Sequence, residues 1–206
     1  PSFAEDVFAS VTATAYYPEG NETWTADIMQ NYGGTITWVP YEPDLVDSGT
    51  WGENLTWKLY ENGTLIFSGE GEMQDSEDVE DYPWYSQYRE DITTVILEEG
   101  ITSIGRFAFA NTYINKIVTP SSLKKIGEAA FFMSCLAEAN LAEGLERIEN
   151  NAFMLMTCLK EITIPSTVTY MGTGQFAGTV LESLTFKGDA PEFGPPDGNV
   201  DIFSSV

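Results

Sequence analysis

The sequence predicts a solenoid of the α/β repeat type: short parallel strands stacked into one sheet, short helical turns returning the chain, and a small β-rich cap ahead of the first repeat. Three observations predict it. Between Thr94 and Lys187 apolar residues recur in register, as Ile104, Ile126, Ile148 and Met171, then Phe109, Phe131, Phe153 and Phe176, then Ile114, Leu136, Leu159 and Leu181. The first two series step by 22, 22 and 23 residues and the third by 22, 23 and 22. Second, Ile101, Leu123, Leu145 and Val168 keep the same beat, as do Val95, Ile117, Ala139, Ile162 and Leu184. A period in this range belongs to a solenoid, because no single unit can bury its own apolar face and each must stack on a neighbour. Third, Tyr82-Pro83-Trp84-Tyr85-Ser86-Gln87-Tyr88 is the densest aromatic stretch in the chain and immediately precedes the repeats. An open solenoid end requires such an apolar cover.

Residues 1–50 are expected to connect modules. Thr12 to Tyr17 alternates small, β-branched and aromatic side chains, which predicts a strand, and a turn follows at Pro18 to Asn21. Thr23 or Thr25 is placed to N-cap a short helix through Ala26 to Gln30, stopped by Gly33-Gly34. Thr35 to Val39 reads as a second strand and Pro40 to Gly49 as an acidic connector. Residues 51–93 form the predicted cap. Leu55, Trp57 and Leu59 alternate before Asn62-Gly63, and Leu65 and Phe67 after it, so this is a hairpin whose Asn-Gly is expected to supply the two positive φ angles of a type I′ turn. Glu70 to Asp81 holds seven acidic side chains in twelve residues. It is read as a solvated loop rather than a calcium site, since it lacks the alternating oxygen ligands and central glycine of a calcium loop.

Residues 94–188 are the repeats. Ile162-Thr163-Ile164 alternates as a strand should, and its equivalents at Val95 to Leu97, Ile117 to Thr119, Ala139 to Leu141 and Leu184 to Phe186 predict a five-stranded parallel sheet. The return segment reads Ile-Gly-x-x-Ala-Phe at Ile104 to Phe109 and Ile126 to Phe131. Its glycine is expected to bend the chain at positive φ, and the Ala-Phe to make a helical turn with the ring inward. The four phenylalanines should then form one buried ladder, each contributing roughly 1.5 to 3 kcal/mol by leaving water. Residues 189–206 are left as a tail or incomplete cap.

At the level of motif, the chain resembles the BspA-like leucine-rich repeats of bacterial surface proteins. The resemblance rests on Ile-x-x-Ile-Gly-x-x-Ala-Phe, present as Ile101 to Phe109, Leu123 to Phe131 and Leu145 to Phe153, and on Cys158-Leu159-Lys160-Glu161-Ile162. Trp57, Asn62-Gly63-Thr64-Leu65 and Pro83-Trp84-Tyr85-Ser86 are similar to the segment that precedes such repeats in gut-bacterial members. It implies a right-handed horseshoe on the cell surface, with the sheet on the concave face and the helical turns on the convex side, used for adhesion or protein binding and carrying no catalytic residue. Glu149 stands where the motif has Gly and Gln175 where it has Ala, so the last rung is expected to be looser. In a bacterial chain the glycosylation sequons at Asn21, Asn54 and Asn62 are chance matches.

Composition narrows function further. The 206 residues carry 32 Asp plus Glu against 9 Lys plus Arg, a net charge of -23, which repels phosphate backbones and anionic lipid. Residues 1–90 hold 18 acidic and 2 basic side chains, and 91–206 hold 14 and 7. No apolar run approaches the ~20 residues of a membrane span. There is no histidine, which removes Ser-His and Cys-His catalysis and His-based zinc. A glycosidase-like carboxylate pair is singled out by no spacing, and neither metal nor cofactor is implied. Cys135 and Cys158 occupy the same place in successive repeats and are expected to be two buried thiols, since ladder side chains that point the same way suit a disulfide poorly.

The functional face should be the outward side of the sheet: Thr94, Ile96 and Glu98, Lys116, Val118 and Pro120, Glu138, Asn140 and Ala142, Glu161, Thr163 and Pro165, and Ser183, Thr185 and Lys187. The first reading is an extracellular protein bound through Ile96, Glu98, Val118, Asn140, Glu161, Thr163 and Thr185. The alternatives are a structural spacer in a multi-module surface protein, or a glycan stacked on Trp84, Tyr85 and Tyr88. Finally, Pro1-Ser2-Phe3 with Val7 to Val11 echoes Pro191-Glu192-Phe193 with Ile202 to Val206. This predicts a piece of a tandem array, with head-to-tail contacts between one copy's start and another's end.

Overall fold

The computed structural model describes residues 4, 6–18 and 24–194. They pack as two units, one up to Asp44 and one from Leu45 onward. In the first, β1 (Thr12–Pro18) runs parallel to β2 (Thr35–Tyr41). Trp38 holds this unit together, donating its indole N–H to the Gln30 carbonyl at 3.2 Å and meeting the rings of Phe8 and Trp24. The helix expected over Ala26 to Gln30 is a single turn. Ile28 and Met29 both donate to the Thr25 carbonyl, and Asn31 then turns its side chain to the Ile36 amide, which commits the chain to β2 before a helix can propagate. The turn expected over Pro18 to Asn21, the Thr23 cap, the Asn21 sequon and the two terminal echo motifs fall wholly or partly outside the described residues.

The second unit opens with antiparallel β3 (Leu45–Trp51), β4 (Leu55–Tyr60) and β5 (Thr64–Gly69). Residues 45–49, read as connector, are therefore strand. Their sequence hides it because β3 buries little of its own and instead offers Gly49 to the Trp57 ring, where a Cβ would come within 2.9 Å. The hairpin turn is not type I′. Only Gly63 has positive φ (76°), and Gly63 N–H closes onto the Tyr60 carbonyl, so the loop has three residues with glycine at the left-handed place. Gly63 also takes the amides of Thr93 and Thr94 on its carbonyl, which ties the hairpin to the first repeat.

After β6 (Gly71–Glu72), a 3-10 turn over Val79–Asp81 and α1 (Tyr85–Tyr88), each rung contributes two short strands. They are β7 (Thr94–Leu97) and β8 (Ile101–Ile104), β9 (Lys116–Val118) and β10 (Lys125–Ile126), β11 (Glu138–Asn140) and β12 (Arg147–Ile148), β13 (Glu161–Ile164) and β14 (Tyr170–Met171), and β15 (Ser183–Phe186) and β16 (Glu192–Phe193). The second strands make an unbroken parallel sheet from β6 to β16 that the sequence reading did not anticipate. The first strands run β5-β7-β9-β11, and β13 and β15 form a separate pair. Because β5 and β6 pair in parallel with β7 and β8, the cap behaves as a degenerate first rung.

The return segments hold no helix. In the first, Ala108 and Ala110 donate three residues back to Gly105 and Phe107, and Phe107 and Asn111 are left-handed. The bend thus falls two residues after the motif glycine, not on it. Gly127 is required for a different reason: a Cβ would lie 2.8 Å from the Arg106 amide and the Ile104 carbonyl of the rung beneath. Alternate turn amides climb to the next rung, Phe107 to Glu128, Phe109 to Ala130 and Asn111 to Phe132. The first rung has nothing below to donate to its own carbonyls there. Tyr82 and Trp84 fill those places, the phenol donating to Arg106 O and the indole to Ala108 O at 2.9 Å, and burial pushes the Tyr82 phenol pKa up. Trp84 also heads the ring ladder, followed by Phe109, Phe131, Phe153 and Phe176 at centroid spacings of 6.1, 5.7, 5.5 and 6.0 Å.

Candidate functional site

Outward residues of the long-strand sheet form a continuous face, and its charges step with the repeat. Lys116 meets Glu138 at 2.9 Å one rung on, as Lys160 meets Glu182 at 2.9 Å. By the same register Glu138 would lie opposite Glu161 on β13, and like charges directly opposed weaken a ladder. Two further departures meet at this junction. Ala139 is the one small residue among the inward-facing Val95, Ile117, Ile162 and Leu184, and the chain between Phe153 and Leu159 is one residue longer than in the other rungs. Each loosens the stack, and β11 and β13 make no ladder with one another. Glu138 turns its amide back to the Asn115 carbonyl, so the peptide groups of Ala139 face forward into the opening without a strand partner.

The result is a cleft of about 550 Å³ on the long-strand face. Val118, Asn140, Glu161, Thr163 and Thr185 all line it, so five of the seven protein-binding residues expected from sequence converge there. Ile96 is half-buried on β7 and Glu98 exposed beyond its end, and neither reaches the cleft. Pro120 and Pro165, expected to point outward, are buried. Ala137, Ala139 and Ala142 make the floor low; of these the sequence reading placed Ala142 on the outward face, set Ala139 inward and missed Ala137. The signal was available in Ala139, alone in its series. Of the nearby cations, Lys187 on the rim is engaged by Glu143 at 3.5 Å and Lys116, outside the cleft, by Glu138, whereas the side chain of Glu161 makes no hydrogen bond or ion pair among the described residues.

A smaller cavity of about 360 Å³ opens beside it between Ala137, Cys158, Lys160 and Glu182. The two cysteines flank this junction as free thiols. They are not the pair of buried fillers expected: Cys158 is exposed and Cys135 half-buried, because the extra residue before Leu159 lifts Cys158 out of the stack. Burial and the adjacent Cys158 push the Cys135 thiol pKa up.

The aromatic alternative fares differently. Trp84 is wholly buried and Tyr85 nearly so, while Tyr88 is half-buried with its hydroxyl on Asp47 at 2.9 Å. A sugar platform needs open ring faces, and Trp84 spends its own on Phe67, Tyr82 and Phe109 while Arg89 lies over the ring of Tyr85. In the acidic run, Asp75 accepts the Arg106 amide at 2.7 Å, Glu77 pairs with its guanidinium at 2.8 Å and Asp78 caps the 3-10 turn. Among the described residues no three His, Cys, Asp or Glu side chains are grouped so as to hold a metal ion.

Residues 80–195 match the BspA type leucine-rich repeat region, in 6 copies. Among solved structures, a leucine-rich repeat protein from Eubacterium ventriosum is similar at 25% identity and a TM-score of 0.61, over 67% of this chain and 40% of that one. A leucine-rich repeat protein from Bacteroides capillosus is 23% identical with a TM-score of 0.42, over 68% of this chain and 99% of that one. A leucine-rich cell surface protein from Faecalibacterium prausnitzii is 18% identical with a TM-score of 0.28, over 71% and 56%. No curated protein matches the chain. The chain therefore spans less than half the length of the Eubacterium protein.

Proposed function

Because the chain belongs to the BspA-type leucine-rich repeat family, we propose that its solenoid is a non-enzymatic cell-surface module that binds a protein on the long-strand face. The observation that supports this most is the cleft between β11 and β13, where outward residues of four successive long strands converge on unpaired strand edges. Half-exposed apolar Ile96 and Val118 beside exposed Asn140, Thr163 and Thr185 give the mixed surface that a protein partner covers well.

Placing glutamate at Val118, Asn140 and Thr163 tests the reading. All three side chains point away from the core, so the chain should still fold cooperatively, its thermal midpoint lowered by no more than about 4 °C, because positions 118 and 140 are directly opposed and like charges there weaken the ladder. Saturable binding to an extracellular matrix or bacterial surface protein, measured at physiological salt, should weaken by at least about tenfold. Undiminished binding by the triple variant would place the docking surface elsewhere. Absence of saturable binding by the native module to every protein tried would favour a structural spacer instead.

A further inference from the structure

Building on that reading of the face, we propose that the cleft between β11 and β13 receives an arginine side chain presented by the protein partner, its guanidinium held by the Glu161 carboxylate and by the unpaired peptide carbonyls of the two strand edges.

The width of the opening selects a head group over a strand. Cα atoms of β11 and β13 still approach within 8 Å, whereas admitting another strand requires two ladder spacings of about 4.8 Å each. A planar group entering edge-on fits where a backbone does not. The free carbonyls of the walls together with the Glu161 charge favour a cation rich in donors. Ala139 on β11 and Glu161 and Thr163 on β13 present peptide groups, carbonyls among them, that no strand takes up, and the alanine floor offers depth without polar side chains of its own. Glu161 stands on the rim with no counter-charge among the described residues, while the neighbouring cations are already engaged. Arginine meets all three conditions at once, since its guanidinium is flat, always charged and carries five N–H donors in a fixed fork. Lysine offers a more strongly hydrated point charge with only three donors. A chain of net charge -23 would steer such a partner toward it.

The test uses the intact chain, isotopically labelled, with N-acetyl-arginine N-methylamide as probe and the citrulline analogue as its neutral isostere. The arginine probe should shift the amide resonances of residues 137–142 and 160–163 saturably, and bind at least about tenfold more tightly than citrulline. Glu161→Gln, an exposed and near-isosteric change, should weaken the arginine probe by a similar factor while the Thr163 amide keeps the fast hydrogen exchange of an open junction. An equal response to citrulline, an undiminished response in Glu161→Gln, or shifts spread across the acidic surface would each overturn the proposal. The wider reading fails separately: should the arginine test fail while the Val118, Asn140 and Thr163 variant still loses its protein partner, the face stands without this specificity.

Discussion

Each of the first four rungs is bent twice by residues in the left-handed region, at Phe107 and Asn111, Ala129 and Met133, Asn151 and Leu155, and Gly174 and Gly178. Only the fourth rung uses glycine at both places. An L side chain there costs roughly 1–2 kcal/mol, which the climbing hydrogen bonds offset, such as Met133 N–H to Met154 O at 3.0 Å. Met133 is half-exposed (50%), so removing its side chain sacrifices little burial. Met133→Gly should therefore stabilise the protein by about 0.5–1 kcal/mol after the extra freedom of glycine in the unfolded chain is counted. A lower denaturation midpoint in urea would show instead that the thioether packs against the next rung. Phe107, Ala129, Met133 and Leu155 were not legible in the sequence, because Phe, Ala, Met and Leu have no left-handed preference and the neighbouring rung imposes the geometry, whereas Asn111, Asn151, Gly174 and Gly178 are residue types that favour it. In the fourth rung Gln175 is fully buried and donates its amide to the main-chain carbonyl of Glu149 at 2.6 Å, a bond the alanine of the motif would not make, while its Oε1 has no partner.

At the scale of elements, the turns between each rung's two strands alternate between two kinds. Glu99-Gly100 and Glu143-Gly144 occupy the first and third, Ser121-Ser122 and Ser166-Thr167 the second and fourth. Each glutamate caps the serine turn one rung later: Glu99 takes the amide and hydroxyl of Ser121 at 2.9 and 3.0 Å, and Glu143 those of Ser166 at 3.0 and 2.9 Å. The backbone amide of Ser121 chiefly holds the Glu99 carboxyl below its ordinary pKa, and the Ser166 hydroxyl does so for Glu143. A depressed folded pKa means stability that is complete above the ordinary carboxylate range and lost as pH falls through the lower folded value. The Glu99→Gln, Glu143→Gln double variant should therefore melt below the native chain at neutral pH, and the gap should close as pH falls below the ordinary carboxylate range through the lowered folded values. A gap that persists in acid would mean that shape rather than charge makes the cap. The second sheet escaped the sequence reading for an elementary reason: strands as short as Lys125–Ile126 and Arg147–Ile148 offer no alternation to detect, and the adjoining Ala-Phe was read as helix. The first strands were legible because most alternate over three or four residues with β-branched side chains turned inward, but the continuous five-stranded sheet expected of them is split between β11 and β13.

Across the whole solenoid, three sets of contacts repeat from rung to rung: the long-strand ladder, the short-strand ladder and the climbing turn amides with their ring stack. At the junction of β11 and β13 the first is interrupted while the others continue, as Arg147 opposite Tyr170 and the Phe153–Phe176 stack show. The causes were present in the spacing of 23 between Leu136 and Leu159, in Ala139, and in two glutamates falling opposite one another. Sequence alone did not reveal their consequence, because each is mild and only their coincidence opens the ladder. The account therefore turns on whether this junction is open in solution. Residue-resolved amide hydrogen exchange measures it directly. The amides of Glu161 and Thr163 should exchange at least about a hundredfold faster than those of Val118, Asn140 and Thr185, which hold the same place in closed rungs, and Ala139→Val should slow them. Equal protection across all five in the native chain would contradict an open junction and remove the cleft on which the proposed binding rests.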